Sequence, residues 1–257
     1  MAATPEVDAA LASFAALDEA DLAGPWRFRD KPADARYAIY RTLEETQEAY
    51  VRLAALPHPE SRRILALAER AFGDLRGLLV GLPAALLDRS PRDGQWSIRE
   101  TLRHIIVIEG RYAVQTLYAT ERADSDPMRV ADDKMPTPAQ IDISGSLTDM
   151  LERVRTARAE TQRRLESLSP ALLTRPTQWM HFDVDVRFRL HRFAAHLIEH
   201  GIQCEKTLAT LGVPMTEGRR IVRRLAALLG EVEGLGGHAE AGAIEQRLVE
   251  RAASVAA

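Results

Sequence analysis

The sequence predicts an all-helical protein: a helical bundle that carries further helices at both ends. Alanine, leucine, arginine and glutamate dominate the composition, and aromatic residues make up only 5%. Apolar residues recur every three or four positions along most of the chain, whereas alternating, strand-like stretches are scarce. With 257 residues, 46% of them hydrophobic, the chain is long enough to bury a sizeable core without disulfides.

Charge and cysteine content exclude several classes of protein. The net charge of -3 and the pI near 6.2 give no overall attraction for nucleic acid or for an anionic membrane. Cys204 is the only cysteine, so it cannot form a disulfide within the chain. The first residues lack the basic start and apolar run of a signal peptide, and no run of about 18 apolar residues occurs. We therefore expect a soluble, cytoplasmic protein that binds a small-molecule substrate and neither a membrane nor nucleic acid.

The N-terminal part predicts two helices, over residues 5–22 and 33–56, with a segment rich in helix breakers (24–32) between them. A third helical pattern covers residues 59–87 and has a clear apolar face, interrupted near Gly81. The first two helices are interpreted as an N-terminal helical extension over residues 1–58.

The next two helices are predicted from their capping residues. Ser97 and Glu100 have the spacing of a capping box, so a helix should begin there and continue to about Arg122. A polar connection with three prolines follows over residues 124–145, and connections of this length are often functional. Ser146 and Asp149 then predict the start of a helix over residues 147–168.

The remaining chain predicts an irregular stretch over 171–183, one long helix over 186–211 and two C-terminal helices over 216–233 and 238–255. We assign a central helical bundle to residues 59–212 and a C-terminal helical extension to residues 213–257. The sequence shows no internal repeat of the solenoid type.

Histidines on two of the predicted helices suggest a metal site. His196 and His200 lie four positions apart in HLIEH, so both side chains lie on one helix face and can bind the same ion. His104 lies in the apolar stretch LRHIIVIEG, where a polar ring needs a partner. Three imidazoles would leave one coordination position open. The alternative interpretation is that these are ordinary hydrogen-bonded histidines, and Cys204 is a further candidate ligand that we expect instead to pack in the core.

The two motifs WSIRETLRH (96–104) and HLIEHGIQ (196–203) together resemble those of the DinB/YfiT superfamily. The resemblance covers residues 61–211 and implies a four-helix bundle with unusual crossover connections. It also implies a divalent metal held by one histidine on the second core helix and an HxxxH pair on the fourth. These positions match His104, His196 and His200.

The resemblance further implies a reaction class. Characterised relatives use the metal to activate a low-molecular-weight thiol, such as bacillithiol, mycothiol or glutathione, for S-transfer or isomerisation. The metal here would be zinc, nickel, iron or manganese. Two alternatives stay open: a metal-dependent hydrolase, and a non-catalytic module for metal binding or oligomerisation, whose terminal helices could form a homodimer.

Five further side chains are candidate contacts to a substrate or cofactor. Arg99, Arg103 and Arg192 lie close in sequence to the histidines and could bind carboxylates, although solvated helix faces or salt bridges explain most arginines of this chain. Tyr112 follows His104 by about two helical turns and could supply a phenol or simply pack in the core. His181, in WMHFD, could line a pocket.

Overall fold

The computed structural model describes residues 5–255, and they confirm the predicted all-helical fold. Most predicted helix boundaries lie within a few residues of the observed ones. The helices are α1 (Pro5–Ala16), α2 (Glu19–Leu22), α3 (Ala35–Ala54), α4 (Glu60–Leu79), α5 (Ile98–Glu121), α6 (Leu147–Leu165), α7 (Pro170–Leu173), α8 (Val186–Thr210), α9 (Glu217–Gly234) and α10 (His238–Val255). None of these helices is both long enough and apolar enough to span a bilayer.

Two small β-hairpins occupy segments that the sequence predicts as irregular, and here the prediction is wrong. β1 (Pro25–Phe28) pairs with β2 (Lys31–Asp34), and β3 (Pro176–Trp179) pairs with β4 (Phe182–Asp185). Both pairs are antiparallel with two-residue turns. The turns contain residues with positive φ that are not glycine, namely Arg29, Asp30 and Met180. Each hairpin ends on an aspartate whose carboxylate caps the following long helix, α3 or α8.

Helices α4, α5, α6 and α8 form one four-helix bundle with its own apolar core. Each helix packs against two others, in the cycle α4–α8–α5–α6. The core residues come from all four helices and include Leu75, Leu102, Val154 and Phe193, each at most 1% exposed. This bundle, called the first bundle below, contains the three candidate histidines.

The N-terminal and C-terminal helices share a second apolar core. Helices α1, α3, α9 and α10 pack in the cycle α9–α3–α10–α1 around residues such as Leu11, Ile39, Leu225 and Leu248. We call this group the second bundle. The two predicted extensions are therefore parts of one structural unit, although they lie at opposite ends of the chain.

The two bundles meet where α4 crosses α9. A side chain at Gly73 would place its Cβ 2.2 Å from the carbonyl oxygen of Ala226, and one at Gly230 would place it 2.4 Å from that of Glu69. Such distances are far inside van der Waals contact, so the two helices can approach this closely only with glycine at both positions.

The capping predictions for α5 and α6 are confirmed. The side chain of Ser97 accepts from the backbone N–H of Glu100, and the Glu100 carboxylate accepts from the backbone N–H of Ser97. Ser146 and Asp149 form the same box at α6. The connection between α5 and α6 lies against α5, where Gln115 exchanges two hydrogen bonds with the backbone of Val130. These contacts fix the helix that bears His104.

Candidate metal centre

Helices α5 and α8 bring the three predicted histidines together. His104 Nε2 lies 3.2 Å from His196 Nε2. One potential ligand atom from each of His104, His196 and His200 lies within 4.8 Å of the other two. His196 and His200 are each only 7% exposed, and His104 is half-buried. Within residues 5–255, this is the one group of histidine, cysteine and acidic residues with the spacing of a metal site.

The geometry and chemistry of the cluster fit a divalent cation. Tetrahedral zinc with Zn–N bonds near 2.0–2.1 Å holds its nitrogen ligands roughly 3.3 Å apart, close to the separation of the two Nε2 atoms. Burial, with smaller contributions from His200 and His104, lowers the pKa of His196 to about 3. Burial and His200 also lower the pKa of His104. Neutral imidazoles have the free lone pairs that a metal requires.

Gln203 orients one of the three rings. It lies one turn after His200 on α8, and its Oε1 accepts a hydrogen bond from His200 Nδ1 at 2.8 Å. This bond fixes the proton on Nδ1 and leaves the lone pair on Nε2, which is the usual role of a side chain behind a metal-bound histidine. Glu109 and Gln115, two other polar residues of α5, bind Arg158 and the backbone of Val130 instead.

Aromatic rings enclose the histidines on two sides. The Trp96 ring lies 4.9 Å from the His104 ring and 6.5 Å from the His200 ring, measured between centroids. On the other side, Tyr112 packs edge-on against His196 at 5.5 Å. Burial raises the pKa of the Tyr112 phenol, against the opposing effect of nearby Arg192. Tyr112 thus keeps its proton at neutral pH.

Two cavities flank the cluster. A cavity of about 780 Å³ is lined by Trp96, His200, Glu199, Gln203 and Lys206, among others, and so reaches one imidazole directly. We call it the histidine cavity. A second cavity, of about 430 Å³, lies beyond Tyr112 and is called the Trp179 cavity. It is lined by Ile108, Arg111, Tyr112, Gln115, Arg129, Asp132, Met135, Gln178, Trp179, Met180, His181 and Arg189.

The structure places three of the five candidate contact residues beside the Trp179 cavity. Tyr112 and His181 line it, and the guanidinium of Arg192 lies 5.0 Å from the centroid of the Trp179 ring. Trp179 packs edge-on against Tyr112 at 4.8 Å. Trp179 was not among the predicted contacts, and the signal for it was an aromatic residue two positions before His181 in the segment leading into the ligand helix. Arg189 was expected only as one of the arginines that precede the histidine pair.

The other two candidate contacts lie elsewhere. Arg99 donates from Nε and Nη2 to the carboxylate of Asp88 and from Nη1 to the carbonyls of Ile143 and Gly145, so it fastens two loops to α5. Arg103 is half-buried beside His104 in sequence and lines neither cavity. Cys204 is fully buried in the first core, and burial raises the pKa of its thiol to about 12, in agreement with a packing role.

Comparisons with known proteins identify the family. The chain is similar to YfiT from Bacillus subtilis, described as "a probable metal-dependent hydrolase with an unusual four-helix bundle topology", at 15% identity and a TM-score of 0.45. That likeness covers 62% of this chain and 92% of YfiT. No curated protein matches the chain. The sequence profile of the DinB superfamily matches residues 67–204, which span most of α4 to α8 and include all three histidines. The chain belongs to the DinB superfamily.

Proposed function

We propose that this protein is a metal-dependent enzyme that holds one divalent cation, such as zinc, nickel, iron or manganese, on His104, His196 and His200. The observation that carries the proposal is the convergence of three imidazoles beside the histidine cavity. Three protein ligands leave a coordination position for a reactant, whereas structural zinc sites use four.

The reaction that we propose is transfer or isomerisation dependent on a low-molecular-weight thiol such as bacillithiol, mycothiol or glutathione. A bound divalent cation favours the thiolate form of such a thiol, which is the nucleophile. The histidine cavity is wide enough for a small peptide-like thiol, and Arg92 and Lys206 in its wall can bind the carboxylates of such a molecule. Trp96 covers the rings of His104 and His200 and limits the access of water to them.

Metal analysis of the protein purified without a histidine tag tests the site. We expect about one equivalent of metal per chain after reconstitution, and loss of that metal when His104, His196 or His200 is changed to alanine. The matched control is His191→Ala, because His191 is an exposed histidine of the same helix. Absence of stoichiometric metal with all four cations would contradict the proposal, as would equal loss in the control.

Turnover assays test the reaction. The metal-loaded protein is given each of the three thiols together with electrophilic substrates, and consumption of the thiol is followed. Thiol-dependent turnover that disappears in His196→Ala supports the transferase or isomerase class. Hydrolysis of an ester or amide panel without any thiol would instead assign a metal-dependent hydrolase, in which water is the nucleophile. Metal binding with neither activity would assign a non-catalytic metal-binding module.

A further inference from the structure

The segment from α2 to α3 repeats the segment from α7 to α8. In both, a four-residue helix leads into a β-hairpin with a two-residue turn and then into a long helix capped by an aspartate. Strand register is the same, with Pro25 opposite Asp34 and Pro176 opposite Asp185. Residues of similar type or role in the two segments are separated by the same number of positions along the chain, which we call the constant offset. They are Asp18/Ser169 (both helix caps), Leu22/Leu173, Pro25/Pro176, Phe28/Trp179, Asp34/Asp185, Tyr37/Phe188, Ile39/Leu190 and Leu53/Cys204.

Salt bridges extend the correspondence to α4 and α9. Arg187 on α8 binds both Asp185 and Glu60, the first residue of α4. Arg36 on α3 binds both Asp34 and Glu217, the first residue of α9. Helix α9 therefore has the same relation to α3 that α4 has to α8.

The crossing of α4 and α9 has the reciprocal contacts of a twofold interface. Gly77 lies against the Cα atom of Arg223, and Gly234 lies against the Cα atom of Ala66. When α4 and α9 are aligned on their first residues, Gly77 matches Gly234, and Ala66 matches Arg223. The two contacts are therefore equivalent under a twofold rotation that exchanges α4 and α9. The close contacts of Gly73 and Gly230 are related in the same way. This is the pattern of an isologous dimer interface, in which residue i contacts j and j contacts i.

The packing cycles of the two bundles complete the correspondence. The cycle α4–α8–α5–α6 becomes α9–α3–α10–α1 when α9, α10, α1 and α3 replace α4, α5, α6 and α8. Only the chain order differs, because the ends of the chain fall between α10 and α1. The second bundle therefore has the topology of the first in circularly permuted order.

A cluster of ion pairs occupies the place of the histidines in the second bundle. At the constant offset, Glu45 matches His196 and Ala49 matches His200. Arg247 on α10 contacts Glu45 as His104 on α5 contacts His196: its Nε is 2.9 Å from Glu45 Oε2. Arg251 also binds Glu45, at 2.7 Å. Although burial opposes it, hydrogen bonds from these two arginines lower the pKa of Glu45.

From these contacts we propose that the second bundle is a permuted copy of the metal-binding bundle, in which the Arg–Glu cluster around Glu45 has replaced the metal. The chain is thus a dimer of bundles within one polypeptide. Within residues 5–255 it has one candidate metal site, and the second bundle takes the place of a partner subunit.

Restoring the histidines tests this correspondence. The variant Glu45→His, Ala49→His, Arg247→His also carries Arg251→Leu, which removes the remaining buried cation. It is made on a His196→Ala background, so its result does not depend on whether the natural site binds metal. We expect about one equivalent of zinc, bound at least about tenfold more tightly than by the same protein with Arg247 retained, because the third imidazole completes the site. A folded variant in which the third histidine brings no gain in affinity would overturn the proposal.

A second measurement does not depend on redesign. Because the interface is reciprocal, Gly73→Ala and Gly230→Ala should lower the melting temperature by similar amounts, and so should Gly77→Ala and Gly234→Ala. The control is Gly201→Ala, because Gly201 is also helical and a Cβ atom added there would meet no atom beyond its own helix within 4 Å among the described residues. Gly94 has the same open space but a positive φ, so it does not serve as a control. A large effect of only one member of each pair would contradict a twofold interface.

A different observation concerns Arg189, in the wall of the Trp179 cavity. Arg189 is 4% exposed, and its Nε has no hydrogen-bond partner among the described residues. Its Nη1 donates to the carbonyl of Gln178 at 2.5 Å, and its guanidinium lies 5.5 Å from the centroid of the Trp179 ring. Within residues 5–255, no carboxylate forms a salt bridge with it. Burial without an acidic partner lowers the pKa of Arg189 to about 10. A buried, unpaired cation is costly unless an anion binds it.

We infer that the Trp179 cavity binds a carboxylate of the substrate, with Arg189 as its ion-pair partner and the Trp179 ring against its apolar part. The inference rests on the proposed function, because the bound molecule would reach the histidines past Tyr112, which touches both Trp179 and His196. Arg111 and Arg129 add positive charge to the wall, against one acidic residue, Asp132, which is already paired with Arg129.

The probe is benzoate, compared with its neutral analogue benzamide, and binding is followed by tryptophan fluorescence. Metal-free protein is used, so failure of the metal site cannot be mistaken for failure of this cavity. We expect benzoate to bind at least about tenfold more tightly than benzamide, and Arg189→Met to remove the difference. Arg122→Met is the control, because Arg122 is also buried, has no carboxylate partner in the described part of the chain, and lies outside the cavity. Equal binding of the two probes by the unaltered protein, or unchanged preference in Arg189→Met, would overturn the inference.

Discussion

At the scale of single residues, the candidate centre depends on side chains that hold the imidazoles in position. His196 and His200 project from one face of α8, and their rings lie 4.3 Å apart. Each imidazole ring can rotate about its side-chain bonds, and Gln203 removes that freedom for His200 by accepting a hydrogen bond from its Nδ1. Orientation before binding lowers the entropy cost of assembling a metal site.

Changing Gln203 to leucine should weaken metal binding about 10- to 100-fold, because His200 loses the hydrogen bond that fixes its tautomer. Competition with a chromophoric chelator measures the affinity. Gln203→Glu keeps an acceptor at the same place and should retain tight binding. Unchanged affinity in the leucine variant would show that Gln203 does not orient the ring.

Glu233, near the end of α9, should make stability depend on pH. Burial, with a smaller contribution from Glu245, raises its pKa to about 7. Above about pH 4.5 the unfolded chain releases this proton, whereas the folded protein keeps it up to about pH 7. The free energy of unfolding is therefore highest at low pH with respect to this group, and it falls as the pH rises to 7. Glu233→Gln should be more stable than the unaltered protein by about 3 kcal/mol at pH 8, with the difference vanishing below about pH 4.5. Urea unfolding at both pH values measures it, and a gain that is the same at both would contradict the shift.

Sequence could predict the histidines of the site but not their surroundings. The HxxxH spacing follows from helix geometry, and His104 stands out as a polar residue in an apolar stretch. Trp179 has no such signal, since one aromatic residue is ordinary, and Arg189 is only one of several arginines before the histidine pair in a chain where arginine is abundant. Their importance comes from β3, which lays the Trp179 ring against α8, and that contact is tertiary.

At the scale of elements, a buried arginine joins three helices of the first bundle. Arg158 on α6 is fully buried, and it binds Glu109 on α5 at 2.7 Å and Glu69 on α4 at 2.8 Å. It also lies over the Phe193 ring of α8. Without Arg158, the carboxylates of Glu109 and Glu69 would lose their cationic partner. Helix α6 must therefore pack so that Arg158 reaches both of them.

Arg158→Ala should therefore destabilise the protein by about 3–5 kcal/mol, since it leaves the buried Glu109 unpaired. Arg163→Ala is the matched control on the same helix: its pair with Glu160 is largely exposed, and the change should cost less than about 0.5 kcal/mol. Chemical denaturation gives both values. Equal effects for the two variants would show that the buried ion pairs contribute no more than a surface pair.

Helix ends were predictable, whereas the hairpins were not. Ser97 and Ser146 each begin a capping box, a signal that is local and complete in the sequence. The hairpin strands are four residues long, and their turns use Arg29, Asp30 and Met180 at positive φ, where glycine or asparagine would have been the usual signal.

At the scale of the whole molecule, the two ends of the chain depend on one another. Arg251 and Arg247 of α10 bind Glu45 of α3, and Trp26 donates to Ser254. The core around Leu11 and Ile39 is closed by α9 and α10. The second bundle thus has no complete core without both ends.

A chain that lacks residues 213–257 should lose the second bundle completely and aggregate, because α1, α3 and the glycine face of α4 would become exposed. Light scattering after size exclusion, with circular dichroism, measures this. Removal of residues 1–57 together with 213–257 is the comparison, since it deletes the whole second bundle and leaves only the α4 face uncovered. A monomeric chain without residues 213–257 that keeps the helical content of α1 and α3 would contradict the shared core.

The correspondence between the two bundles cannot be recognised from the sequence, because it lies in burial and packing and not in residue identity. Matching positions share burial but few side chains: Thr42 matches Phe193, and Ala49 matches His200. Permutation also places the matching helices in a different order along the chain. A search for repeats in series finds neither the order nor the identities.

The reciprocal dependence of the two ends also has a consequence for the order of events during synthesis. Domains generally fold from the N-terminus as the ribosome extends the chain. Here α1 and α3 emerge from the ribosome well before their partners α9 and α10, and the first bundle can close in between. Helices α1 and α3 must therefore wait, with their apolar faces uncovered, until α9 and α10 have been translated. They are the part of the nascent chain where a chaperone would have most to protect.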